Sequence, residues 1–173
     1  MQKLAFGKLV NDEFKAKVIE ISYKLNKLDP DFLMTCMAFE TGEKFKSNVV
    51  NKQSNATGLI QFMKKTAIGL GTTIEDLAKM TEVKQLDYVY KYFQKYTSKL
   101  KTLGDVYMCI LYPVAAGKDD NYVLFRKDDI NAPKQYIQNK GLDFNKDGLI
   151  TKKEVCDKIY RLYSKGMSET YYG

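Results

Sequence analysis

The segment DFLMTCMAFE, residues 31–40, constrains the fold most, because it is apolar at nearly every position and yet ends in an acid. Leu33, Cys36, Met37 and Glu40 recur at i, i+3, i+4 and i+7, so a carboxyl shares the helical stripe that turns toward a core. Asp29 and Pro30 supply an N-cap and a first-turn proline, and Gly42 supplies a left-handed stop. Glu40 then lies in the last turn, where loss of water and the negative end of the helix dipole both favour its protonated form. A carboxyl kept neutral near neutral pH can donate to a leaving oxygen, the task of the acid in glycoside hydrolysis. On periodicity alone, a glutamate that simply ends its helix facing water is the commoner case.

The other periodic stretches are also helical. Asn11 caps DEFKAKVIEISYKLNKL, with Phe14, Val18, Ile21 and Leu25 on one side. Residues 41–57 have no sustained period, so a short hairpin or an irregular loop both fit. Residues 58–67 predict a helix with Leu59, Phe62, Met63 and Thr66 on one side and Gln61 opposite. Thr73 and Asp76 form a capping-box-like start for IEDLAKM. Residues 82–100 predict a long helix whose inner side carries Leu86, Val89, Tyr90, Phe93 and Tyr96 or Thr97. The segment DVYMCILYPVAAG is apolar nearly all round and is expected to be the most buried helix. Pro113 kinks or ends it, and the Tyr112 phenol beside the break needs a polar partner: Glu40, a sugar hydroxyl or a backbone carbonyl.

Composition narrows the chemistry. With 173 residues, 45% of them hydrophobic, the chain can bury one proper core. Histidine and tryptophan are absent, which excludes histidine triads and histidine-ligated metals. Cys36, Cys109 and Cys156 are odd in number and sit largely in apolar patterns, so no disulfide framework is expected. No apolar run reaches the roughly 18 residues of a membrane span, and residues 1–14 lack a signal-peptide core. The expectation is synthesis in the cytoplasm, no membrane insertion and a monomer. The net charge of +7 is scattered over many lysines without a nucleic-acid recognition motif. It suits either solvated helix faces or the anionic polymers of a cell wall.

Three segments in order carry a family resemblance. Glu40 and Thr41 end a buried helix, Gly58, Leu59, Ile60 and Gln61 follow a polar loop, and YMCILYPVAAGK comes later. Together they resemble the catalytic motifs of the soluble lytic transglycosylase and goose-type lysozyme family. The resemblance covers residues 32–118 and implies a mainly α, lysozyme-like single domain. It makes Glu40 the catalytic acid and then base, and assigns substrate contacts to Thr41, Gly58, Gln61, Phe62 and Tyr112. The substrate implied is bacterial peptidoglycan, cut at the β-1,4 bond between N-acetylmuramic acid and N-acetylglucosamine by hydrolysis or by transglycosylation. No cofactor is needed for that chemistry. Pro113 stands where the family has asparagine, and Asn55 where glycine is common. Glu43 is a second carboxylate near the first, able to activate water or simply to face solvent among lysines. A phage endolysin or virion-associated lysin fits, acting in the periplasm or on the wall; a non-catalytic wall-binding or virion module is the alternative.

A second motif is independent of the first. DFNKDGLITKKE, residues 143–154, meets each fixed position of the EF-hand calcium loop. Asp143, Asn145 and Asp147 offer oxygens at alternate positions, Gly148 allows the sharp turn, and Leu149 offers its carbonyl. Thr151 is the ninth position, and Glu154 can bind with both oxygens. An acidic turn followed by Thr151 and Glu154 as a capping box is the competing reading. A structural calcium ion is expected, in a small C-terminal region of loop, exiting helix and tail at 141–173, appended to a catalytic domain at 1–140. With one such loop, no second hand is available to pair with it.

Overall fold

The structure is a computed structural model that describes residues 2–173, the side chain of Pro133 excepted. Its described residues form eight α-helices and one small two-stranded sheet. No helix among them is long and apolar enough to cross a membrane. The chain divides into two compact units, residues 1–98 with 162–173, and residues 99–161. The loop at 143–154 shares the second unit with the apolar segment around Tyr112.

In the first unit, α1 (Asp12–Lys24) packs on α2 (Pro30–Thr41) and on α5 (Glu82–Gln94). Each start is fixed by a local cap. Asn11 Oδ1 accepts the Phe14 N–H at 2.9 Å, and Asp29 Oδ1 accepts that of Asp31 at 2.9 Å. Phe14, Val18 and Ile21 of α1, with Leu33, Met34, Cys36 and Met37 of α2, are buried. Gly42 ends α2 with φ 58°, the left-handed geometry expected of it.

Two shorter helices, α3 (Lys64–Gly69) and α4 (Ile74–Lys79), follow the loop. The helix expected over 58–67 is not formed over its first half. Residues 58–62 are a turn held by isolated bridges from Thr57 to Val50 and to Phe62. Helix α5 stops at Gln94, before a short 3-10 turn at Thr97–Lys99. Its inner face is Gln85, Leu86, Val89, Tyr92 and Phe93; Tyr90 is half-buried, and Tyr92 takes the place expected for it.

The chain ends return to each other. Leu4 donates its N–H to Gly173 O, Phe6 to Gly166 O and Lys8 to Tyr171 O. The tail SETYYG is therefore tied to the first residues, not frayed.

In the second unit, α6 (Leu103–Leu111) is buried from Leu103 through Cys109. Pro113 ends it: Tyr112 is the C-cap, and Pro113–Ala115 form a 3-10 turn. Strand β1 (Val123–Arg126) pairs antiparallel with β2 (Leu149–Thr151), with Phe125 opposite Ile150. A bulge between Val123 and Phe125 breaks the alternation, so Leu124 and Phe125 are both buried. Helix α7 (Pro133–Asn139) lies against β1, and α8 (Lys152–Gly166) leaves directly from β2.

Candidate functional site

Glu40 is half-buried in the last turn of α2, three residues after the fully buried Met37. The backbone closes just beyond it, where Glu43 donates its N–H to Ala38 O at 2.7 Å. Thr41 is buried and its hydroxyl is used within the fold: it donates to Met37 O at 2.7 Å and accepts the Phe45 N–H at 3.0 Å. That pair of bonds fixes how the chain leaves the helix carrying Glu40. Glu43 does not stand alone. Both its oxygens accept from Lys165 Nζ, at 2.6 and 2.8 Å.

The second motif segment is held by a residue that periodicity overlooked. Gln85 is fully buried; its Oε1 accepts the Leu59 N–H at 2.7 Å, while Nε2 donates to Ser47 O at 3.1 Å and Leu77 O at 2.8 Å. One side chain thus ties α5 to α4 and to both sides of the loop between α2 and α3. The only signal in the sequence was a polar residue one position before Leu86, on the apolar stripe of an amphipathic helix. Gly58 is required at this point by close approach as well as by φ 86°, since a Cβ there would meet Gln85 Oε1 at 2.3 Å. Gln61 adopts φ 53°, and its Nε2 donates to Val49 O and Gly58 O. Phe62 is 2% exposed and packs edge-on against Tyr92, 6.3 Å between ring centres, so it supports the segment from inside.

In the second unit, Tyr112 is half-exposed at the end of α6, with its ring set edge-on to Phe125 at 5.4 Å. The chain just after it is anchored by a buried ion pair. Lys152 Nζ donates to Asp105 Oδ1 at 2.8 Å and to Lys118 O at 2.7 Å, and Gly117 N–H donates to the same Asp105 oxygen at 2.8 Å. Burial pushes the Asp105 carboxyl upward, but Lys152, Gly117 and Thr102 outweigh it and hold it below its usual range. Burial pushes the neighbouring Cys156 thiol to about 11, an inert thiol.

Residues 143–154 form a self-bonded loop that runs into β2 and the start of α8. Gly148 turns with φ 86° and Ile150 is fully buried. Asp147 and Asn145 bond each other, and Leu149 N–H donates to Asp147 Oδ1 at 2.8 Å. Glu154 reaches back over the loop, with Oε1 accepting the Phe144 N–H at 3.2 Å and Oε2 accepting Thr151 N–H and Oγ1–H at 2.9 and 2.8 Å. The Thr151–Glu154 capping box is therefore present. It does not exclude the metal reading, because the same carboxylate can exchange those partners for a cation.

Asp143 is the informative residue. Its Oδ2 accepts from Tyr136 Oη at 2.5 Å and from Gly148 N–H at 3.1 Å, whereas Oδ1 is buried with no hydrogen-bond partner. The Tyr136 phenol, with help from loop amides, holds this carboxyl below its usual range, so it is ionised at neutral pH. A buried carboxylate oxygen without a donor is costly unless a cation completes it. Oxygen-only donors suit a hard cation such as calcium. Among the described residues, no three His, Cys, Asp or Glu side chains converge as a metal site. Residues Leu149–Thr151 of the loop are paired as a strand with β1.

No protein-family model matches this chain, and no curated protein matches it.

Proposed function

We propose that this protein cleaves the glycan strands of bacterial peptidoglycan, with Glu40 as the single catalytic acid and base. The observation that supports the reading is the half-buried Glu40 at the end of a largely apolar helix with a left-handed cap, followed within the same unit by the Gly58–Gln61 turn. Glu40 would protonate the bridging oxygen between N-acetylmuramic acid and N-acetylglucosamine, then withdraw a proton from the group that traps the resulting cation. A placed carboxyl contributes about 10²–10⁴-fold through proton transfer, and substrate distortion and cleft electrostatics supply the rest. Glu43 is paired with Lys165, and a mechanism carried by Glu40 alone would end either in water attack or in an anhydro sugar.

Asp143, Asn145, Asp147, Thr151, Glu154 and the Leu149 carbonyl would hold a calcium ion, the unpartnered Asp143 oxygen being the support for it. Bound there, the ion supplies charge neutralisation and a closed loop geometry, not proton chemistry.

The test is clearance of purified cell walls by the protein and by Glu40→Gln. Loss of at least about 10²-fold in lysis with unchanged melting supports the reading; near-normal lysis by the variant defeats it. Muropeptide masses then separate the two chemistries, the anhydro product lacking one water. A non-catalytic wall-binding module is the second reading, favoured by Pro113, which offers no side-chain amide where the resembled family has one. Wall binding without any lysis is its signature.

A further inference from the structure

Tyr112 and the loop at 143–154 are joined along two separate paths. Along the first, β2 leaves the loop and pairs with β1, where Phe125 faces Ile150 and sets its ring against Tyr112. The pairing extends beyond the strands, with Lys127 N–H donating to Gly148 O and Lys152 N–H to Tyr122 O, each at 2.8 Å. Along the second, Lys152 follows β2 directly and grips Asp105 and Lys118 O, fixing both sides of the turn that begins at Tyr112.

Glu154 lies where these paths meet the loop. Its carboxylate caps Thr151, which is paired with Val123 at the joint between β2 and α8. Bound to a cation along with Asp143, it would exchange the Thr151 bonds for the ion, and the joint to which β1, Phe125 and Lys152 are attached would change partners. A ligand shifts a conformation only through contacts that differ between two states, and Glu154 supplies such a difference.

We propose that divalent-cation binding by residues 143–154 sets the position of Tyr112, making glycan contact at Tyr112 calcium-dependent and Phe125 a positioning residue. This rests on the readings of the loop as a calcium site and of Tyr112 as a glycan contact.

Hydrogen exchange of the full chain, with and without calcium, tests the coupling without relying on activity. Calcium is expected to slow exchange over residues 112–118 and 123–126, as well as in the loop, by about fivefold or more, the lower end of ordinary coupling between sites. Phe125→Leu, with calcium binding measured by titration calorimetry, is expected to keep the affinity but lose the slowing at 112–118. Restoration of the slowing in Phe125→Tyr would support a positioning role for the ring. Calcium binding that protects the loop and leaves 112–118 unchanged in the parent chain overturns the inference while sparing the calcium site. No heat of calcium binding overturns both. Calcium-slowed exchange at 112–118 with no lysis under any condition supports the coupling and removes only the enzymatic reading.

Discussion

Gln85 Oε1 accepts the Leu59 N–H at 2.7 Å, a hydrogen bond between a buried helix side chain and a loop amide 26 residues away. It is the means by which α5 holds the turn preceding Gln61 in place. Replacement by leucine leaves the Leu59 N–H and the Ser47 and Leu77 carbonyls without their partner. Each stranded buried group costs on the order of 1–3 kcal/mol. Gln85→Leu is therefore expected to lower the urea midpoint sharply, and Gly58→Ala to do the same by pushing a Cβ into the same amide. A midpoint unchanged in both would show that the turn does not depend on this bond.

Asp105 and Lys152 form the buried ion pair of the second unit, with side chains 8% and 7% exposed. Removing one partner of a buried pair costs about 3–5 kcal/mol, so Asp105→Asn should melt far below the parent chain. The pH dependence follows from the lowered Asp105 value. Its contribution is complete above the unfolded carboxylate value of roughly 4 and is lost as pH falls through the lower folded value. Stability measured from pH 6 to pH 2 should fall less steeply in Asp105→Asn than in the parent.

Glu43 and Lys165 make a partly exposed pair across the first unit, and such pairs are worth about 0–1 kcal/mol. Glu43→Gln should leave both melting and wall lysis close to the parent, in contrast to Glu40→Gln. A loss of lysis as deep as that of Glu40→Gln would assign Glu43 a role in the chemistry.

Calcium should raise thermal stability. At a hundredfold excess over its dissociation constant, a ligand that binds only the folded chain adds about 2.7 kcal/mol. For a chain of this size that is a rise in Tm of several degrees, about 2–4 °C per kcal/mol. Differential scanning fluorimetry with calcium and with chelator measures it. Asp143→Asn should reduce the shift, and equal melting of the parent under both conditions would reject the calcium reading.

The local punctuation of the chain was determined by sequence alone. Asn11, Asp29, Thr73 and Gly42 begin or end helices as expected because capping is completed within three or four residues and needs no distant partner. The Gly148 turn and the Thr151–Glu154 capping box were readable for the same reason, since each is completed within a few consecutive positions. The mainly α character followed from the helical spacing of apolar residues. Other features were decided only in three dimensions. Residues 58–62 have the spacing of a helix, yet long-range hydrogen bonds from Gln85 and Val49 hold them as a turn. The tail takes its order from the first residues of the chain, and Glu43 is committed by a lysine 122 positions away. Strand β1 pairs with residues 149–151, and only the fold brings the two alongside. Local hydrogen bonds can be read along a sequence; bonds between distant residues form only once burial has brought those residues together.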